Sequence, residues 1–122
     1  MYIRFVVGGA DENHRVLTGL VTEARLLRDR GELSNEEERL LEGVFAWLNS
    51  HLPCPPFSTA GWSRDAVAWF KDSATESIRQ FRTLAALLEH HNRGVRMLRS
   101  HNPGKILYED RFQIVVEEWK RL

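Results

Sequence analysis

Apolar residues recur at helical spacing through residues 63–92, the longest stretch of the chain with one sustained period. Steps of three and four residues place them along one side of a helix that faces a core. They are Val67, Phe70, Ala74, Ile78, Phe81, Leu84, Ala85 and Leu88. Ser63 can cap this helix, and Ser73 with Glu76 repeats a start signal. The helix is therefore either continuous or broken near residue 73, and we favour one bent or broken helix over two separated ones.

The first residues of the chain predict a strand. Ile3, Phe5 and Val7 alternate with their neighbours, and the glycines at positions 8 and 9 stop the alternation. A lone apolar strand at an edge invites aggregation, so we expect it to join a sheet built elsewhere in the chain.

Two helices are predicted after this strand. Asp11 offers a cap for the first helix, which ends before Gly31. Ser34 and Glu37 form a capping box, in which each side chain binds a free backbone N–H at the start of the second helix. The short link between the helices favours an antiparallel pair. Their apolar positions are Val16, Leu17, Leu20, Val21, Ala24 and Leu27 in the first, and Leu40, Leu41, Val44, Phe45 and Leu48 in the second.

After residue 93 the period changes from helical to alternating. The alternating stretches contain Val95 and Met97, then Ile106 and Tyr108, and finally residues 112–116. Turn chemistry separates them at residues 102–104 and 109–111, which predicts a three-stranded antiparallel meander. Together these elements predict an α+β fold, with the helices on one face of a roughly four-stranded sheet.

Length and composition agree with one domain over residues 1–122. Single cores commonly occupy roughly 100 to 150 residues. A content of 43% hydrophobic and 28% charged residues excludes disordered and collagen-like chains. No apolar run approaches a membrane span, the start lacks signal-peptide features, and Cys54 is the single cysteine. We therefore predict a cytoplasmic protein that does not enter a membrane.

One loop of unusual length is predicted at residues 53–62. Three prolines hold this segment extended, and Gly61 allows a sharp turn. Loops of this length within small domains are often functional. Phe57 and Trp62 either fold back as a plug over the core or form an edge that binds a protein partner.

A basic run between residues 93 and 105 suggests an alternative partner. Arg93, Arg96, Arg99 and Lys105 occur here without any acidic residue. Side chains of this kind could follow a phosphate backbone, which would indicate a nucleic-acid-binding module. The other interpretation is a solvated edge that prevents unwanted strand addition.

The sequence predicts neither a metal site, a cofactor nor a catalytic constellation. His51 with Cys54, and His90 with His91, supply too few ligands for zinc. Cys54 lacks a recognisable third group that would orient a histidine base. No glycine-rich phosphate loop follows the first strand. We therefore predict a protein that is not an enzyme.

Two short segments resemble small uncharacterised bacterial proteins of unknown function. They are residues 69–72, Trp-Phe-Lys-Asp, and residues 108–113, Tyr-Glu-Asp-x-x-Gln. The resemblance covers about the last half of the chain and implies a bacterial or phage origin without any activity. The sequence thus predicts a small non-enzymatic interaction or regulatory module that binds a protein partner, with nucleic acid as the alternative.

Overall fold

The computed structural model describes residues 1–8 and 18–119, which form an antiparallel sheet and three helices in that part of the chain. The predicted α+β class is confirmed. Asp11, Val16 and Leu17, which were expected in the first helix, lie outside the described residues. The elements are β1 (Tyr2–Val7), β2 (Thr18–Gly19), α1 (Leu20–Asp29), α2 (Asn35–His51), β3 (Val67–Lys71), α3 (Thr75–His90), β4 (Val95–Ser100), β5 (Gly104–Glu109) and β6 (Gln113–Glu118).

The sheet has the strand order β4-β1-β3-β6-β5, with the short β2 also paired to β1. Every pair is antiparallel. The sheet described is therefore slightly larger than the four strands predicted, because the segment before α3 and the two residues of β2 both contribute to it.

The prediction of a helix beginning at Ser63 is wrong for its first part. Residues Val67–Lys71 form β3 instead, and the helix begins at Thr75. The spacing of apolar residues here does not distinguish a helix from a strand. Trp69 and Phe70 are both buried, although they point to opposite faces of the sheet. A strand covered on both faces does not show a clear alternation of apolar and polar residues. The predicted break near residue 73 is the turn between β3 and α3.

The predicted C-terminal meander is also wrong in its pairing. Strands β5 and β6 form a hairpin, but β4 pairs with β1 along its whole length. Only residues 101–103 connect β4 to β5, although these strands occupy opposite ends of the strand order. The turn residues at 102–104 indicate a tight connection between β4 and β5. They do not specify with which strand β4 forms its hydrogen bonds.

This short connection forces the sheet to curl. Four peptide units between Ser100 and Gly104 reach at most about 15 Å. The outer strands of a flat five-stranded sheet would lie about 19 Å apart. Consistent with curling, a second apolar cluster joins residues from β1, β3, β4 and β6 on the face without helices: Tyr2, Val67, Trp69, Leu98, Ile114 and Val116. Both isoleucine and valine of β6 in this cluster are fully buried.

The three helices cover the other face and bury the main core. This core contains Ile3, Phe5 and Val7 of β1 together with apolar side chains from each helix. The predicted start of α2 is confirmed, since Ser34 and Glu37 form the capping box. Gly31 follows α1 with a φ of 72°, a left-handed conformation that favours glycine.

The end of α3 is fixed to the start of α2. His91, at the end of α3, contacts Glu37 in the first turn of α2, with His91 Nε2 2.7 Å from Glu37 Oε2. The backbone N–H of Ser34, followed by His91, lowers the pKa of Glu37 below its ordinary value. One carboxylate therefore caps a helix and holds a second helix beside it.

Among the described helices, none is long and apolar enough to span a membrane.

We predict that Gly104→Ala destabilises the protein by roughly 1 to 3 kcal/mol, because the sheet leaves no space for another carbon there. A Cβ at this position would collide with the backbone carbonyl of Glu117 on β6. Chemical denaturation measures the effect. Gly43→Ala in α2 is the matched control, since a Cβ there would meet no atom of a neighbouring element within 4 Å. This replacement should stabilise the helix by roughly 0.5 to 1 kcal/mol. Equal effects at the two positions would contradict the packing of β5 on β6.

Candidate ligand-binding site

A gap separates β1 from β3 near the middle of the sheet. The two strands pair only through Tyr2 and Ile3, and farther along β1 the short β2 pairs with Val6 and Val7 instead. On this side of β1, Arg4 and Phe5 face no paired residue in the described chain. Strands that part in this way leave room for another group between them, and also leave backbone N–H and C=O groups at the edges of the opening.

A cavity of about 390 Å³ occupies this gap. We call it the strand-gap cavity. Its walls are mostly apolar, and Phe81 of α3 packs against Phe70 with ring centroids 4.8 Å apart and against Phe5 with centroids 6.0 Å apart. The lining residues are Arg4, Phe5, Gly19, Leu20, Val21, Leu52, Phe57, Ala66, Val67, Ala68, Trp69, Phe70, Phe81 and Gln113. Cavities of this size and character commonly hold small organic ligands.

Polar contacts hold the 53–62 loop beside this cavity. The buried side chain of Gln113 donates from Nε2 to the backbone oxygen of Pro53, at 2.7 Å. Pro55 is buried, and the N–H of Ala60 closes a turn on the oxygen of Pro56. The loop is therefore an ordered part of the fold at both its beginning and its centre.

The carboxylate of Asp110 anchors this arrangement. Its Oδ1 accepts from the backbone N–H groups of Phe112 and Gln113, at 2.8 and 3.1 Å. Its Oδ2 accepts from the Tyr108 hydroxyl at 2.8 Å and from Gln113 Nε2 at 3.1 Å. Partial burial alone would raise the pKa of Asp110, but these hydrogen bonds outweigh that effect and lower its pKa below the ordinary value. The ionised carboxylate thus positions the side chain that holds the loop.

An aromatic series continues from this anchor toward the cavity. The ring of Trp62 lies 6.1 Å from that of Tyr108, and Phe57 packs edge-on against Trp62 at 5.6 Å. Phe57 lines the cavity while 44% of its surface is exposed. The structure therefore brings the two loop residues singled out in the sequence together, with Phe57 at the cavity rim and Trp62 half-buried behind it.

Two further polar groups border the cavity. Arg4 has a side chain that is only 14% exposed and donates from Nη1 to Glu118, at 3.2 Å. Trp69 is 7% exposed, and its Nε1 has no hydrogen-bond partner among the described residues. A buried unpaired donor costs about 1 to 3 kcal/mol and is a feature that calls for an explanation in a native fold.

The residues of the basic run do not share one surface. Arg96 pairs with Val6 and Arg99 with Ile3, so the two side chains project from opposite faces of β4. Arg93 lies on the loop before β4, with its Nε 3.9 Å from a carboxylate oxygen of Glu23. Lys105 belongs to β5, which is the other outer strand in the strand order. Because Arg96 and Arg99 lie on opposite faces of β4, the two arginines of this strand do not follow one continuous track.

His90 and His91 lie side by side at the end of α3, with ring centroids 5.7 Å apart, and His51 and Cys54 lie at the end of α2 and in the loop that follows it. Cys54 is exposed, whereas His51 stacks on Trp47 of its own helix with ring centroids 4.5 Å apart. His90 is exposed on α3, and His91 contacts Glu37. Within the described residues, no group of three or more histidine, cysteine or acidic side chains is arranged to hold a metal ion.

Sequence reasoning missed Arg4, Trp69, Asp110 and Gln113 as site residues. Arg4 had the appearance of an outward-facing residue in an alternating strand. In the sequence, Asp110 belongs to a predicted turn and Gln113 to an alternating stretch, and both occur in a segment that carries the resemblance. The available signal was the spacing of Asp110, Phe112 and Gln113, because aspartate commonly accepts hydrogen bonds from backbone N–H groups two and three residues ahead.

We predict that Asp110→Asn lowers the free energy of unfolding by roughly 1 to 3 kcal/mol, since the amide nitrogen replaces one acceptor oxygen and an NH2 group cannot accept from Gln113 Nε2. The depressed pKa means that the stabilisation from the charge is present above the ordinary aspartate pKa and is lost as the pH falls through the lower value in the folded protein. The difference between the two proteins should therefore narrow below about pH 4. Denaturant titrations across pH measure both effects.

Asp29→Asn is the matched control for this experiment. Asp29 is exposed at the end of α1, where it pairs with the adjacent Arg28. Its replacement should change stability by no more than about 0.5 kcal/mol. An equally small effect at Asp110 would contradict the anchoring role of its carboxylate.

The chain was also compared with known proteins. Comparisons with protein-family models, curated proteins and solved structures find no match. The resemblance of residues 69–72 and 108–113 to small bacterial proteins therefore shows no family, and the functional argument depends on the site itself.

Proposed function

We propose that the protein is a small non-enzymatic binding module that holds an apolar ligand in the strand-gap cavity. The observation that carries this proposal is a cavity of about 390 Å³ at a gap within the sheet, walled mainly by apolar and aromatic side chains. Clefts with apolar walls and a few polar groups are the usual form of a small-molecule site.

The surroundings of the cavity support the same proposal. Phe57 stands at the rim on a loop that Gln113 and Asp110 hold in place. A side chain that lines a cavity and remains partly exposed can cover a ligand without a large rearrangement of the fold. The cavity walls come from β1, β3 and α3, which are anchored by the main core. Walls that are already packed before a ligand arrives reduce the ordering cost of binding.

We predict that Ala68→Leu abolishes binding of decanol, an uncharged apolar probe, because the added carbons occupy the cavity that Ala68 lines. The wild-type protein should show an increased melting temperature in decanol, since a ligand that binds only the folded state stabilises it. The variant should show no such increase. Calorimetric titration and thermal unfolding measure the two effects.

The stability of the variant without ligand is a second test of the cavity. Filling an existing space should leave stability unchanged or raise it by roughly 0.5 to 2 kcal/mol, whereas overfilling a packed core costs roughly 1 to 3 kcal/mol. Ala46→Leu is the control, since Ala46 is exposed on α2. Decanol binding that survives in Ala68→Leu would reject the strand-gap cavity as the site.

A protein partner is the second candidate, and the aromatic pair at the 53–62 loop favours it. Phe57 is exposed and rests edge-on against Trp62, so the pair is ordered before any partner arrives. Exposed, pre-ordered aromatic side chains are typical anchors of protein interfaces. On this proposal the module has a regulatory role, with the loop as the contact surface.

We predict that Phe57→Ala combined with Trp62→Ala leaves the fold intact and abolishes capture of a partner from a lysate. The reason is that both anchors of the proposed contact are removed. Affinity capture with mass spectrometry is the measurement, and circular dichroism checks the fold. Leu40→Ala provides the control, because Leu40 is a similarly exposed apolar residue on α2. Undiminished capture by the double variant would reject the loop as the contact surface.

Nucleic-acid binding through Arg93, Arg96, Arg99 and Lys105 is a weaker proposal, because β4 presents Arg96 and Arg99 on opposite faces. A cytoplasmic location and a bacterial or phage origin belong to the proposal as well. The exposed, free Cys54 agrees with a reducing compartment. The origin is supported only by the resemblance of residues 69–72 and 108–113.

A further inference from the structure

We propose that the ligand of the strand-gap cavity is a small apolar carboxylic acid, and that Arg4 binds its carboxylate in place of Glu118. This inference rests on the proposed ligand-binding function and adds the chemical class of the ligand. Of the described residues that line the cavity, Arg4 is the charged one. The apolar walls favour a ligand that is apolar over most of its length. The charge of Arg4 favours an anionic group at one end of that ligand.

The burial of Arg4 makes the nature of its partner important. Its side chain is only 14% exposed, because the curled sheet partly encloses a position that would face water on a flat sheet. A guanidinium stays charged in proteins and needs an opposite charge when it is withdrawn from water. Burial is the main reason that the pKa of Arg4 is lowered, and Glu118 opposes this effect.

The pairing with Glu118 leaves room for a competing anion. Between the two side chains, Arg4 Nη1 donates to Glu118 Oε1 at 3.2 Å, and the Glu118 side chain is 54% exposed at the end of β6. A guanidinium has five N–H donors and binds a carboxylate most strongly through two parallel hydrogen bonds. Water competes for the exposed carboxylate of Glu118, which weakens the pair from that side. A carboxylate within the largely apolar cavity would meet less competition from water and could accept from the guanidinium through two parallel hydrogen bonds.

The cavity also connects the two environments that such a molecule requires. Phe5, Phe70 and Phe81 line it and belong to the main core on the helix side, whereas Arg4 pairs with Glu118 on the other side of the sheet. The gap between β1 and β3 is the passage between them. An apolar chain can therefore lie among the phenylalanine rings while its carboxylate reaches the guanidinium.

The test compares decanoate with decanol, which share a chain and differ in the charge of the head group. Calorimetric titration below the concentration of micelle formation should show at least tenfold tighter binding of decanoate by the wild-type protein. Arg4→Met should remove this preference, so that decanoate binds the variant no more tightly than decanol does. Glu118→Gln should raise decanoate affinity several-fold and leave decanol affinity unchanged, because it removes the competing carboxylate.

The outcomes separate this inference from the proposed function. If decanol and decanoate bind with equal affinity, the proposed role of Arg4 in binding a carboxylate is rejected, and the proposed binding of an apolar ligand stands. If neither binds, the proposed function fails as well. If Arg4→Met does not fold, Glu118→Gln decides alone, since its side chain is largely exposed. An unchanged or weaker affinity of Glu118→Gln for decanoate would overturn the inference.

Discussion

The carboxylate of Asp110 is the interaction on which the candidate site depends. It accepts four hydrogen bonds within one turn of chain, two from backbone groups and two from the side chains of Tyr108 and Gln113. Gln113, positioned by this carboxylate, donates a hydrogen bond to the backbone oxygen of Pro53. The ring of Tyr108 packs against that of Trp62. The long loop of this small domain is therefore held by polar contacts at its start and aromatic contacts at its end.

The second constraint is the short connection between β4 and β5. Because residues 101–103 cannot span a flat sheet, the strands curl and enclose the cluster around Ile114 and Val116. Curling also buries side chains on the face that would be exposed in a flat sheet. Arg4 alternates with core residues and lies on that face, yet its side chain is mostly buried. The gap between β1 and β3 then gives this charged side chain access to an otherwise apolar cavity. The chemistry of the site thus follows from the shape of the sheet.

Local features could be predicted from the sequence, and long-range pairing could not. The capping box of Ser34 and Glu37 and the left-handed Gly31 each depend on a few neighbouring residues, and both are present. Val67 and Phe70 fit a helical spacing equally well, and only their pairing with β1 and β6 decides in favour of a strand. Phe57 and Trp62 could be recognised as unusual residues in a loop. Their position beside a cavity depends on Asp110 and Gln113, whose partners lie in other parts of the chain.

The most direct measurement of the central claim is a carboxyl ¹³C NMR titration of Asp110, followed together with the amide signals of residues 53–62. If the ionised carboxylate holds the loop, its pKa lies below the ordinary aspartate value, and the loop signals shift with the same midpoint. An Asp110 pKa at or above the ordinary value, with loop signals that do not respond to its titration, would contradict this account.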